Sequence, residues 1–307
     1  YAADGTTEGS EFHISTSDAG DQQYPTVSAL DAGKFVVAWN SVTQTGDHDT
    51  GVYAQRYKAD GTTEGSELHV NTQTYKDQKD PSIAHLGAGK FVVVWWSEYG
   101  TSSQDSNGYG VYGQRYAADG TKEGSDEFVV NTHTSNNQWL PSVASLSNGK
   151  FVVTWVSHDQ ASGSSGDDIY AQHYAADGTK EGSAFLVNTV TANSQSMPCV
   201  ASTLDENRFI VVWNSQESAN TAYTDIHSRR YFKDVPQCIE CASLTYRAEG
   251  DPVNGSATTC AAWTTCPAGQ YLDGRDETQD GTCTPCASGE WSSGGTVAQC
   301  TAHSSPT

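Results

Sequence analysis

Runs of alternating aromatic and β-branched residues punctuate the first three-quarters of the chain: Phe35–Trp39, Phe91–Trp95, Phe151–Trp155 and Phe209–Trp213. In the third run Phe151, Val153 and Trp155 fall on one face and Val152 on the other, the period-2 pattern of a strand. A shorter apolar segment, 141–146, precedes it across the turn Ser147-Asn148-Gly149. A Gly/Ser-rich loop follows, then a strand over 168–174, an Asp-Gly turn at Asp177-Gly178 and a fourth strand over 184–187. Asp-Gly between extended segments marks a hairpin, because both residues tolerate positive φ.

The whole unit recurs. Tyr-x-Ala-Asp-Gly-Thr-x-Glu-Gly-Ser starts at Tyr1, Tyr57, Tyr116 and Tyr174, prolines recur at 25, 81, 141 and 198, and tryptophans at Trp39, Trp95, Trp155 and Trp213. A period of about 56–60 residues is too long for a helical solenoid and suits one small sheet per repeat. Four antiparallel strands per repeat describe a β-propeller blade, so the predicted fold is all-β: a propeller over residues 1–234, followed by a small disulfide-rich module over 235–307. Blades begin at Pro25, Pro81, Pro141 and Pro198, and the last lacks a fourth strand. Residues Glu11–Ile14 supply one, and pairing the two chain ends would close a four-bladed ring. If residues precede Tyr1, Ile14 belongs to an earlier blade, and the array is larger or open.

Chemistry carried on a repeat is copied with it, whereas active sites are usually unique. The four tryptophans read as packing between blades. Gln22, Gln78, Gln138 and Gln195, each three residues before the blade proline, read as ties for loop backbone. Glu8, Glu64, Glu123 and Glu181 follow the hairpin turn and read as surface or turn-fixing groups.

The loops between second and third strands vary, spanning 14, 17, 15 and 14 residues from the tryptophan to Tyr53, Tyr112, Tyr170 and His227. They share a face with the approaches to the proline strands, the face where a propeller carries specificity. They hold Asp47, Asp49, Asp105, Asn107, Asp167, Asp168 and Asp225, oxygen donors of the kind calcium takes, although no EF-hand loop is present. Exposed aromatics such as Tyr99, Tyr109 and Trp139 add a carbohydrate-binding alternative. The nine histidines show no metal-type spacing, and neither a Gly-x-Ser-x-Gly elbow nor a phosphate-cradling loop occurs.

Composition narrows the partners. A formal net charge of -21 repels nucleic acid and anionic lipid, and no apolar run approaches the roughly 18 residues of a membrane span. The chain starts without methionine or signal peptide, inside a repeat phrase, as a mature product or part of a longer one would. Cys199, Cys238, Cys241, Cys260, Cys266, Cys283, Cys286 and Cys300 are even in number, and seven crowd the C-terminal module, which reads as a disulfide framework and an oxidising compartment. Asn254-Gly-Ser256 is an N-glycosylation sequon.

Cys266-Pro-Ala-Gly-Gln-Tyr271 and Cys286-Ala-Ser-Gly-Glu-Trp291 resemble cysteine-rich motifs of ephrin-receptor-like and TNF-receptor-like ectodomains. That resemblance implies an extracellular setting and the pairs Cys266–Cys283 and Cys286–Cys300, with Cys241–Cys260 by proximity. Cys199 and Cys238 remain, and their pairing would staple the module to the last blade. Phe-Val-Val-x-Trp and Gly-Val-Tyr-Ala-Gln-Arg resemble repeats of large secreted or surface proteins of bacteria and protists, where such repeats look like building material for adhesins and fibres. The expectation is a secreted or cell-surface, non-enzymatic structural or adhesive protein. It would be a subunit of a cell-surface or flagellar-surface filament or matrix, partnered by itself, by other extracellular subunits or by glycans.

Overall fold

The computed structural model describes residues 6, 9–17, 20–42, 44, 47, 49–98, 108–161, 166–202, 208–216 and 224–232, together with short paired segments beyond 244. The chain forms two compact units, Tyr1–Phe232 and Lys233–Thr307. In the second, three two-stranded pairings are described: Thr245–Tyr246 with Ala261–Ala262, Gln270–Asp273 with Thr282–Pro285, and Glu290–Trp291 with Thr301–Ala302.

The first unit is an all-β, four-bladed propeller. Blade 1 comprises β1 (Gln22–Ala29), β2 (Phe35–Val42), β3 (Thr50–Tyr57) and β4 (Leu68–His69). Blade 2 comprises β5 (Gln78–Gly87), β6 (Lys90–Glu98), β7 (Tyr109–Tyr116) and β8 (Lys122–Val129), and blade 3 β9 (Gln138–Ser145), β10 (Phe151–His158), β11 (Asp167–Tyr174) and β12 (Lys180–Leu186). Blade 4 has three strands, β13 (Gln195–Ser202), β14 (Arg208–Gln216) and β15 (Thr224–Phe232). Every blade is an antiparallel meander in sequence order.

The alternating runs become second strands, and in blades 2 and 3 both of their faces are covered, one by each neighbouring blade. Between blades 1 and 2, Val36, Ala38, Val52 and Val70 meet Ile83, Val93 and Trp95. Equivalent clusters join blades 2 and 3 around Val92, Val94 and Trp155, and blades 3 and 4 around Val152, Ile169 and Trp213. Trp39, Trp95, Trp155 and Trp213 are all buried. Within each blade the strand-2 phenylalanine stacks flat on the strand-3 tyrosine, as Phe91 does on Tyr116 at 4.8 Å and Phe151 on Tyr174 at 4.7 Å.

First strands pack side by side from β1 to β5, β5 to β9 and β9 to β13, but no comparable packing joins β13 to β1 among the described residues. The expected closure by residues 11–14 is therefore absent from this structure. These residues form no strand with β15 and lie instead against blade 1, where Tyr57 Oη donates to Ile14 O at 2.9 Å. The reason is geometric. Three similar junctions set the step between blades, and pairing within single repeats says nothing about how many steps complete a circle.

Candidate functional site

Each blade has a turn end and a loop end, and the turn end is nearly the same in all complete blades. Asp60, Asp119 and Asp177 each accept from the side chain and backbone of the threonine two residues on, which holds their carboxyl pKa values below the ordinary range. The post-turn glutamates pair with the lysine opening strand 2: Glu64 with Lys34 and Glu123 with Lys90 at 2.6 Å, Glu181 with Lys150 at 3.0 Å. Arg56 adds a link across the junction, donating to Ala118 O at 2.7 Å and Asp119 O at 2.5 Å of the next blade. Arg115 does the same to Asp177 O. Two shallow concavities lie at this end, of about 420 and 230 Å³, lined mainly by turn residues such as Ala88, Gly149 and Ala176, or Ala32 and Ala118.

The loop end is built on a repeated framework with varied side chains. The residue before each blade proline is left-handed: Tyr24 (φ 53°), Asp80 (53°), Leu140 (51°) and Met197 (52°). Register slips at the same place in all four first strands, so each is a β-bulge. Proline has no N–H to give the ladder, and the bulge re-aims the preceding side chain. A non-glycine residue held there stores backbone strain in every blade, and four different side chains occupy it.

Beneath the bulges lies a polar frame whose signal, Val70-Asn71-Thr72, Val130-Asn131-Thr132 and Val187-Asn188-Thr189, the sequence reading passed over. The asparagine Oδ1 accepts from the amide of the third residue of strand 3, Val52, Val111 or Ile169, at 2.7–2.8 Å. Nδ2 of Asn71 and Asn131 reaches Gln78 and Gln138 of the next blade at 3.1 Å. Where serine replaces the asparagine, at Ser15, Gln22 Oε1 instead accepts from Trp39 Nε1 at 2.8 Å. Gln195 likewise accepts from Trp213, since Asn188 Nδ2 turns to Asp168 Oδ1 at 2.7 Å.

The acidic loop residues proposed for calcium do not gather into a cluster among the described residues. The Asp47 carboxylate is fully buried and accepts from Tyr53 Oη (2.7 Å), His69 Nε2 (3.1 Å) and Asn71 Nδ2 (3.2 Å). Burial, then this bond, raises the Tyr53 pKa well above the phenol range. A Cβ on Gly51 would meet Asp47 Oδ2 at 1.9 Å, so glycine there makes room for the carboxylate. Asp47 and Asp168 therefore do one job from different places in sequence, each holding a strand-4 asparagine. Asp167 pairs with His158 Nδ1 at 2.8 Å, while Asp49 and Asp225 are exposed. Asp105, Asn107 and Tyr99 lie outside the described residues. No group of three or more His, Cys, Asp or Glu side chains suited to a metal occurs among the described residues.

What the loop end does assemble is aromatic and polar. On blade 2, Trp96 and Tyr109 lie with ring centroids 4.7 Å apart; Trp96 Nε1 donates to Asp80 Oδ2 at 2.7 Å, and Lys79 Nζ sits 6.0 Å from the Trp96 ring, paired with Asp77 at 2.5 Å. On blade 3, Trp139 lies 6.4 Å from the His158 ring, and His158 is flanked by Asp159 and Asp167. Tyr109 N donates to Asn137 Oδ1 at 3.2 Å, tying the first group to the approach of Trp139. Trp96, Tyr109 and Trp139 are all half-buried. Tyr109 and Trp139 stood out in sequence; Trp96 did not, because it follows the repeat tryptophan Trp95.

Cys199 is a free, exposed cysteine on β13, and no disulfide occurs among the described residues. Its proposed partner, Cys238, lies outside the described residues. Of the remaining cysteines only Cys283 falls in a described strand, and those left, with Asn254, lie outside the described residues.

No protein-family model matches the chain, and no curated protein sequence matches it. Solved structures do. An α-L-arabinofuranosidase of Fusarium graminearum, in complex with arabinobiose, is 14% identical with a TM-score of 0.48, covering 92% of this chain and 82% of its own. An endo-arabinase from Bacteroides thetaiotaomicron is 16% identical with a TM-score of 0.45, covering 74% and 81%. A Hadza microbial sialidase is 10% identical with a TM-score of 0.47; the match covers 68% of this chain and 44% of the sialidase. These bear the names of enzymes, not of filament subunits or adhesins. That finding overturns the expectation of a non-enzymatic structural or adhesive subunit, and with it the filament and cell-adhesion reading. At such identities and scores no residue's role passes from them to this chain.

Proposed function

We propose that the loop end of blades 2 and 3 is a carbohydrate-recognition face. The observation that carries this reading is the pair of half-buried aromatic groups, Trp96–Tyr109 and Trp139–His158, each rimmed by hydrogen-bonding side chains. A sugar ring presents C–H bonds on its faces and hydroxyls at its edge. Aromatic faces take the first, and Asp80, Lys79, His158, Asp159 and Asp167 take the second. The charge of -21 favours neutral sugars over uronic or sialic acids, which it would repel.

The test is calorimetric titration of the intact chain with a panel of neutral and acidic polysaccharides, with new reducing ends assayed in the same mixtures. Binding to a neutral member is expected, and Trp96→Ala and Trp139→Ala should each weaken it roughly tenfold or more. Preference for acidic sugars, or binding indifferent to both tryptophans, would refute the face; release of reducing ends would add cleavage to recognition.

A further inference from the structure

Two junctions inside the propeller, between blades 2 and 3 and between blades 3 and 4, follow one pattern. The strand-3 tyrosine of the following blade donates to the carbonyl that ends strand 4 of the preceding one: Tyr174 to Val130 O at 3.3 Å, Tyr231 to Val187 O at 3.2 Å. A strand-4 phenylalanine tilts against the same tyrosine, Phe128 on Tyr174 at 5.4 Å and 51°, Phe185 on Tyr231 at 5.3 Å and 53°.

Residues 12–16 repeat this pattern on blade 1. Tyr57 donates to Ile14 O at 2.9 Å, and Phe12 tilts on Tyr57 at 5.6 Å and 53°. Thr16 donates through N and Oγ1 to Glu67 at 2.9 and 2.8 Å, as Thr72 does to Glu127 one blade later. The segment thus takes, against blade 1, the place that strand 4 of a preceding blade takes at the inner junctions. β1 is open where its counterparts are covered: Val27 is 65% exposed, where Ile83, Val143 and Val200 are 6–8%.

Blade 4 is the converse: among the described residues it has three strands, no fourth, and an open far face. Ile226 is 73% exposed, where Val52, Val111 and Ile169 are fully buried. Arg230 is exposed and stands where Arg56 and Arg115 cross to the next blade's turn.

We propose that a second copy of this chain covers each face, blade 4 of one copy docking on β1 of the next. The composite blade takes β13–β15 from one copy and residues 11–14 from the other, so the bare edge of β15 gains its strand. Arg230 reaches the Ala59–Asp60 turn of the second copy. Blade 3 pairs Tyr170 with Leu186 and Ala171 with Phe185, so the composite blade places His227 opposite His13 and Ser228 opposite Phe12. The association is head to tail, with two different surfaces meeting.

Sedimentation velocity across a concentration series tests this with two variants at exposed positions. The unsubstituted chain associates as concentration rises. Val27→Asp and Ile226→Asp each stay monomeric with unchanged circular dichroism. Their equal mixture forms one heterodimer and nothing larger, because each variant keeps the face the other has lost. An unsubstituted chain that stays monomeric throughout, or a mixture that does, overturns the proposal. A second measurement holds even if a variant fails to fold: His13→Cys with His227→Cys, oxidised and peptide-mapped. The bridge is expected between chains, and a bridge within one monomer, or none, overturns strand sharing.

Discussion

Blades 2 and 4 have the same interior and different surroundings. Phe91 stacks on Tyr116 at 4.8 Å and 10°, and Phe209 on Tyr231 at 4.8 Å and 8°. The strands of both pair in register without a break from second to third strand. Yet Trp95 and Val111 are wholly buried in blade 2, while in blade 4 Trp213 is 6% and Ile226 73% exposed. Strand pairing is thus complete within a repeat, but the burial of each face is lent by a neighbour. That is the energetic pattern of repeat proteins, in which intrinsic and nearest-neighbour terms add.

The largest expected effect tests that division. Trp155 lies fully buried in the cluster joining blades 2 and 3, so Trp155→Ala should cost about 3–5 kcal/mol and unfold the array. Trp213→Ala removes the same side chain from the junction between blades 3 and 4, in a blade held by one neighbour only, and should cost less, with faster hydrogen exchange confined to β13–β15. Equal costs in denaturant titration, or exchange spread evenly over all blades, would mean that faces are not lent in this way.

The turn-end arginines sharpen the comparison at a smaller scale. Arg115 is 12% exposed and bonds both Glu123, at 2.5 Å, and the carbonyl of Asp177 in the next blade. Arg115→Ala should lower stability by about 1–3 kcal/mol through these charge-assisted bonds. Arg230→Ala, made in the dilute monomer, removes an exposed group facing no further blade and should change stability by less than about 0.5 kcal/mol. Thermal unfolding of the two variants side by side reads the difference.

What was legible in the sequence is what recurs in side-chain type. Phe-Val-Val-x-Trp, the blade prolines and the Asp-Gly turns gave the strands and the propeller, because period 2 and turn chemistry are local. The bulges were not legible: Tyr24, Asp80, Leu140 and Met197 share a left-handed backbone but no side-chain property, and none is glycine. The asparagine frame was readable as Val-Asn-Thr and was overlooked in favour of the acidic loops. Nor could the sequence show that two of the loop carboxylates are bonded within their blades, Asp47 accepting from Asn71 and Asp168 from Asn188. Ring closure was illegible for another reason, since it depends on the angle between blades, which no single repeat encodes.

The smallest effect also separates blades 1–3 from blade 4, which lacks the Asp-Gly-Thr turn. Asp60, Asp119 and Asp177 ionise below the ordinary aspartate value of 3.8, chiefly because a threonine hydroxyl and then its backbone N–H donate to the charged carboxylate. A folded pKa below the unfolded one gives stability that is present above the unfolded value and is lost as pH falls through the folded one. Replacing Thr62, Thr121 and Thr179 together by valine removes the largest cause and leaves the backbone bond. The variant should therefore melt below the unsubstituted chain by a constant margin from about pH 7 to about pH 5, and the gap should narrow as the solution is taken below the aspartate range. Because all three carboxylates are fully exposed, the margin is small and calls for differential scanning calorimetry at matched ionic strength. A margin that persists unchanged in acid would assign the threonines' contribution to packing of their methyl groups, not to the charge they stabilise.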